Sequence, residues 1–292
     1  WTERVVVPQS LVEKILLEIH NTPIGGHKSG PRTYKSARER YYWNNMWRDI
    51  REHVKNCTFC KINHAPDTLK GQEVIGQEYE EPWAVASIDL VGPLPETTRG
   101  NKFLFTAMCP FTRWVEAIPI TSAKAEDVAG AMLQVVATHG CPRKLMSDRG
   151  KQFTGNIMKA FCKLINTERV FASAYCPTTV GAIERTHKWM KAFMKIFVYN
   201  HQDKWDMFIP AMLFAHRTAE MEKYPYSPFY LTYGRNARTP GEVVLDISEK
   251  AEWDPQEYVT HILEKFKETH ERMRDLQAVA RSEEGIYHDQ NA

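Results

Sequence analysis

A multidomain chain is predicted, with a small metal-stapled three-helix domain, an α/β core on a mixed five-stranded sheet, and an acidic helical tail. Three observations carry this reading. Two histidines and two cysteines cluster within residues 20–60, short apolar strands start near residue 85 and give way to alternating helix and strand, and residues 241–292 combine helical spacing with excess acid. At 292 residues there is room for two or three domains. The expected divisions are 1–66 for the helical domain, 67–82 for a linker, 83–240 for the core and 241–292 for the extension.

The first domain opens with a short strand, Arg4 to Val7, before Pro8. Ser10-Leu11-Val12-Glu13 has the form of a capping box and predicts a helix running to about His20, where Pro23, Gly25 and Gly26 break it. A second helix is expected from Pro31, where a missing amide costs nothing, and a third over Met46 to Val54. Three short helices bury little apolar surface, and a domain of that size calls for a staple.

In the core, Val85 to Val91, Phe103 to Met108 and Trp114 to Ile120 read as three strands with turns between. Helices over Ala125–Thr138 and Ile157–Ile165 then alternate with strands Lys144–Ser147 and Arg169–Ala172. Ser173 to Gly181 reads as a loop, Ile183 to Tyr199 as a long helix, and Tyr258 to Val279 as the helix of the tail.

The net charge of +2 decides little, but its distribution is uneven. Residues 1–70 carry net +5, 71–140 carry −5, 141–200 carry +8 and 241–292 carry −7. The two basic blocks are what a polyanion would meet. No stretch reaches the ~18 uninterrupted apolar residues of a membrane helix. Six cysteines, of which only Cys57 and Cys60 are close in sequence, do not form a disulfide scaffold and suit a reducing nuclear or cytosolic compartment. The chain begins at Trp1, and a piece of a longer protein is expected.

His20 and His27 bracket the turn after the first helix, and Cys57 and Cys60 follow the third. Two imidazoles and two thiolates suit tetrahedral zinc, and closing that site makes metal binding part of folding. His53, four residues before Cys57, and His64, four after Cys60, are alternative donors. His20 and His27 are preferred because they would staple distant segments. A redox Cys-x-x-Cys is the competing reading.

Asp89 interrupts an apolar strand, Asp148 ends the fourth core strand, and Glu184 opens the long helix; 58 residues separate the first pair and 35 the second. A charge inside an apolar run is costly unless it is paired or metal-bound. Three carboxylates offer hard oxygen ligands for Mg²⁺ or Mn²⁺, and two such ions suffice for phosphoryl transfer. Each acid alone could be a cap or a surface residue, so their joint placement carries the reading. Glu184, Lys188, Lys191 and Lys195 fall on one helix stripe, opposite Trp189, Phe193, Ile196 and Phe197. Those lysines either hold DNA phosphates or are an ordinary solvated face.

These residues resemble the integrases of retroviruses and, more closely, of gypsy-type LTR retrotransposons. The likeness lies in His20-Asn21-Thr22-Pro23-Ile24-Gly25-Gly26-His27, Tyr42-Trp43-Asn44-Asn45-Met46 and Cys57-Thr58-Phe59-Cys60. It continues in Ile88-Asp89, Ser147-Asp148-Arg149-Gly150-Lys151-Gln152-Phe153 and Gly181-Ala182-Ile183-Glu184-Arg185, over about residues 4–235. The resemblance implies a ribonuclease H-like core, with Asp89, Asp148 and Glu184 both catalytic and holding Mg²⁺ or Mn²⁺. It further implies DNA contacts from Lys151 and Arg185 as well as the three stripe lysines. A homo-multimer acting in the nucleus on double-stranded DNA would trim element ends and join them to target DNA. Two departures stand out. Tyr175-Cys176-Pro177-Thr178-Thr179-Val180-Gly181 lacks the Pro-Gln pair common in relatives, and a carboxy-terminal DNA-binding module is not evident in the acidic tail. The competing readings are a domesticated integrase-derived protein without catalysis, a ribonuclease H proper, and a zinc-dependent binding module.

Overall fold

The computed structural model describes residues 4–63, 79–171, 177–198, 201–221, 224–240 and 254–289, with backbone alone for 62–63, 177–185, 255–256, 258 and 280–289. Two compact units result. One joins Trp1–Pro66 to Pro210–Glu271, and the other joins Asp67–Ile209 to Arg272–Ala292. The second segment of the first unit comes from residues that the sequence reading divided between core and extension. Among the described residues, no helix is long and apolar enough to cross a membrane.

In the first unit, β1 (Val5–Val6) pairs in parallel with β2 (Tyr41–Tyr42). Helix α1 (Gln9–Leu16) continues as a π-helical turn over Leu17–Asn21, and α2 (Gly30–Arg38), α3 (Met46–Asn56) and α4 (Thr58–Asn63) follow. The capping box does not form: α1 starts at Gln9 with Pro8 as its cap residue, which places Ser10 inside the first turn without a capping bond. Val7, Val12, Ile15, Leu16, Ala37, Tyr41, Trp43, Met46 and Ile50 make the core of this segment, and the Trp43 indole donates to Asp49 Oδ2 at 3.1 Å. Nine side chains are a small core, as the sequence implied.

The second unit is built on one sheet. Its strands are β3 (Val85–Val91), β4 (Phe103–Met108), β5 (Val115–Ile120), β6 (Lys144–Ser147) and β7 (Glu168–Phe171), ordered β5-β4-β3-β6-β7. The first three form an antiparallel meander, and β6 and β7 add in parallel on the other side of β3. This is the expected mixed five-stranded, ribonuclease H-like sheet. Central β3 is buried along most of its length, as a strand covered on both faces must be, and only Asp89 and Leu90 are half-exposed.

Helix α5 (Ala125–His139) buries Val128, Met132 and Val135, and ends at Gly140, whose φ of 85° suits glycine. Short α6 (Lys151–Thr154), which the sequence reading did not anticipate, precedes α7 (Asn156–Leu164). Helix α8 spans Pro177–Phe197, so part of the expected Ser173–Gly181 loop is helical; residues 173–176 lie outside the described residues. Two further helices, α9 (Trp205–Arg217) and α10 (Pro228–Tyr233), were also unanticipated. The Trp205 indole donates to Pro95 O at 2.8 Å, and Asp206 accepts from Asn101 Nδ2 at the same distance. Among the described residues of the tail there is one helix, α11 (Pro255–Asp289), longer than its periodicity suggested. Within the second unit, α11 is anchored by Arg274 to Glu80 O and by Gln277 to Phe111 O.

Candidate metal centre and candidate active site

The first site forms where chain reversal brings His27 back onto His20. Thr22 Oγ1 donates to Glu18 O at 2.7 Å, Gly26 N donates to Thr22 O, and His27 N donates to His20 O at 2.9 Å. Two glycines permit this. A Cβ on Gly25 would sit 2.7 Å from the Ile19 carbonyl carbon, and Gly26 has a φ of 67°. The turn places the two rings edge to face, with His20 Nε2 and His27 Nδ1 3.3 Å apart.

Cys57 caps α3 and Cys60 lies in α4, which directs both thiols to the same point. Cys60 Sγ is 3.3 Å from His20 Nε2 and 3.5 Å from His27 Nδ1, and Cys57 Sγ is 3.4 Å from His27 Nδ1. All four donor atoms lie within 4.8 Å of one another, and all four residues are buried. Bond lengths of ~2.05 Å to nitrogen and ~2.3 Å to sulfur give tetrahedron edges of about 3.4 Å for N–N and about 3.6 Å for N–S. The observed separations match those edges. Burial, then the neighbouring Cys57, pushes the Cys60 thiol up to about 12, so an anionic sulfur here calls for a cation. The four residues fit zinc.

His53 is not a fourth donor. Its Nε2 lies 2.7 Å from Asn21 Oδ1, and Asn21 Nδ2 approaches Cys57 Sγ at 3.9 Å. His53 therefore supports the site from outside, and burial holds its pKa below the usual value. His64, the other alternative, lies outside the described residues.

The second site lies at one end of the sheet. The β3–β6 register pairs Val85 with Lys144 and Ser87 with Met146, so Asp89, two residues on in β3, and Asp148, just past β6, lie toward the same end of the sheet. Asp89 Oδ1 accepts from Leu90 N at 2.7 Å, and Asp148 Oδ1 accepts from Gly150 N at 2.9 Å. Asp148 is exposed and the Asp89 side chain is 28% exposed. Hard oxygen donors within reach of solvent suit a divalent cation. Glu184 falls within α8, which packs on β3, but its side chain and that of Arg185 lie outside the described residues.

Beyond Arg185, the side chains of α8 are described. Lys188, Lys191 and Lys195 are exposed along one stripe, as is Lys151 at the start of α6. The buried side differs in part from expectation. Phe193 is buried, Trp189, Ile196 and Phe197 are half-buried, and Met190, Val198 and His187 do much of the packing. The sequence reading missed His187. It is buried, 2.8 Å from Thr106 Oγ1 through Nε2 and 3.4 Å from Asp89 Oδ2 through Nδ1. Burial, then Lys191, pulls its pKa down to about 4, so the ring is neutral near pH 7 and its approach to Asp89 is not an ion pair.

A zinc-fitting helical segment precedes a mixed five-stranded sheet that carries aspartates on two neighbouring strands. Residues 7–66 match the integrase zinc binding domain and residues 80–177 the integrase core domain, so the chain carries these two domains in order. Over 230 residues it is 27% identical to the retrovirus-related Pol polyprotein from transposon 412 of Drosophila melanogaster, covering 78% of this chain and 19% of the polyprotein. Over 280 residues it is 25% identical to gypsy retrotransposon integrase-like protein 1 of Bos taurus, covering 96% of this chain and 55% of that protein. The chain thus spans about half the length of the second relative and about a fifth of the first. Among solved structures, the simian T-cell lymphotropic virus intasome in complex with PP2A regulatory subunit B56 gamma is similar at 14% identity and a TM-score of 0.49, over 75% of this chain and 76% of that one.

Proposed function

We propose that the chain is a DNA integrase, a polynucleotidyl transferase acting on retroelement ends. The observation that supports this is the register of β3 and β6, whose continuation points Asp89 and Asp148 toward the same end of the sheet, with Glu184 on the helix that packs on β3. These three carboxylates would hold Mg²⁺ or Mn²⁺, which when bound supplies activation of the attacking oxygen and relief of the charge building on the leaving one. Asp89 and Asp148 orient that centre through their bonds to the Leu90 and Gly150 amides. Water is the first nucleophile: its oxygen bonds to phosphorus, the phosphorus bond to the neighbouring 3′ oxygen breaks, and a free 3′ hydroxyl remains. That hydroxyl then attacks a phosphodiester of target DNA in the same sense. Lys188, Lys191 and Lys195, with Lys151 and Arg185, would hold backbone phosphates. Two DNA ends must be joined together, so the working form is a homo-multimer, and its place of action is the nucleus. The proposed divisions remain a zinc domain over 1–66, a linker over 67–82, a catalytic core over 83–240 and an extension over 241–292.

The test is strand transfer of oligonucleotide ends with Mn²⁺. Asp148→Asn and Glu184→Gln are expected to abolish joining while zinc content and fold persist. A second reading, a host protein derived from an integrase and acting without catalysis, is favoured by the Bos taurus relative, whose match runs through 96% of the chain. Wild-type protein that neither nicks nor joins under these conditions would favour that reading.

A further inference from the structure

His187 belongs to neither the zinc centre nor the three carboxylates, yet it is buried against one of the latter. The β3–β4 register sets Asp89 opposite Thr106, and the Thr106 hydroxyl donates to the Asp89 carbonyl oxygen at 3.1 Å. Thr106 Oγ1 also lies 2.8 Å from His187 Nε2, so one hydroxyl ties the ring to the backbone of β3. His187 Nδ1 lies 3.4 Å from Asp89 Oδ2, while Asp89 Oδ1 accepts from the Leu90 amide. The carboxylate is held at both oxygens. The ring stands between Thr106 and the carboxylate and limits how the carboxylate can turn.

We propose that His187, anchored by Thr106, is a positioning residue that orients the Asp89 carboxylate for a divalent cation. This inference rests on the reading of Asp89 as a metal ligand. Partners of that kind commonly alter metal affinity about 10- to 100-fold when removed.

The experiment is Mn²⁺ binding to the zinc-saturated full chain without DNA, read by the paramagnetic resonance of free Mn²⁺. Thermal melting is followed in parallel. His187→Ala should weaken Mn²⁺ binding about 10- to 100-fold. His187→Asn, whose amide can still donate to Thr106, should recover most of it, and Thr106→Val should show a smaller loss. Wild-type affinity in His187→Ala and Thr106→Val would overturn the proposal. So would equal loss in His187→Ala and His187→Asn accompanied by equally lowered melting, the mark of a purely structural ring. Asp148→Asn separates the two levels. If it loses Mn²⁺ while His187→Ala does not, only the role of His187 fails; if the wild type shows no Asp148-dependent Mn²⁺ binding, the catalytic reading fails with it.

Discussion

Replacing single donors of the zinc centre tests the assignment of its ligands. Structural zinc in small domains contributes about 10–16 kcal/mol of apparent binding free energy, or about 2.5–4 kcal/mol for each of four ligands. At ~1.4 kcal/mol per tenfold, losing one donor should weaken zinc about 10²- to 10³-fold. The observed geometry supports a value near the full share per ligand. The N–N edge of 3.3 Å and the N–S edges of 3.3, 3.4 and 3.5 Å already lie close to those of a zinc tetrahedron, so little binding energy is spent on rearrangement. His20→Ala and His27→Ala should therefore lose zinc to a chromophoric chelator that leaves the wild type loaded. His53→Ala should lose at most about 10- to 100-fold, because His53 reaches Cys57 only through Asn21. Stoichiometric zinc in the His20 and His27 variants, with loss in His53→Ala, would refute this assignment.

Gly25→Ala should weaken zinc and lower the melting temperature together, since a Cβ there meets the Ile19 carbonyl carbon at 2.7 Å and forcing it in costs about 1–3 kcal/mol; chelator competition and calorimetry read both effects. Burial, then contact with Glu220, raises the pKa of Glu39 to about 8, against the opposing pull of Arg40 and Arg38. A raised carboxyl pKa contributes stability that is complete below about 4.5 and lost as pH rises through about 8, so melting of the zinc-saturated protein should fall between pH 6 and 8 and flatten in Glu39→Gln. A wild-type melting temperature that rises across that window sinks this expectation. Replacing exposed Lys188 and Lys191 together by Ala should lower the salt-dependence slope of DNA binding by about 0.9 for each phosphate no longer neutralised, and an unchanged slope would return the stripe to ordinary solvated surface.

The sheet was legible because strands encode themselves locally. The boundaries of β3, β4 and β6 coincide with the apolar runs, and β5 differs only in starting at Val115 rather than Trp114. Other features depend on neighbours far along the chain. Ser10 and Glu13 have the letters of a capping box, but Pro8 fixes an extended backbone one residue before Gln9, and the helix starts there instead. Helix α9 contains Pro210, which lacks a backbone donor, yet the helix persists with Trp205 and Asp206 tied to Pro95, Thr97 and Asn101. The sequence reading prefers His20 and His27 over His53 and His64 because they staple distant segments, and the Gly25–Gly26 reversal is what brings the two rings together. The missed role of His187 has the same origin. It follows Glu184 by three residues in a helix read for its lysines, and only the pairing of Asp89 with Thr106 across two strands shows what the ring faces.

The two centres treat charge in opposite ways, and that contrast decides what each can do. At the first, nitrogen and sulfur donors are buried and close a tetrahedron with no position left for a reactant, which makes the metal part of the fold. At the second, Asp148 is exposed just past β6 and Asp89 is half-exposed within β3, where the proposed reaction would bring phosphate oxygens and a nucleophile. Rigidity there comes from beneath: Leu90 N on one oxygen of Asp89, the Thr106-anchored ring near the other, and Gly150 N on Asp148. On the proposed reading, a site that must admit DNA cannot be closed by its own ligands, so its geometry would fall to groups behind the carboxylates: the sheet register and, as inferred above, the buried His187.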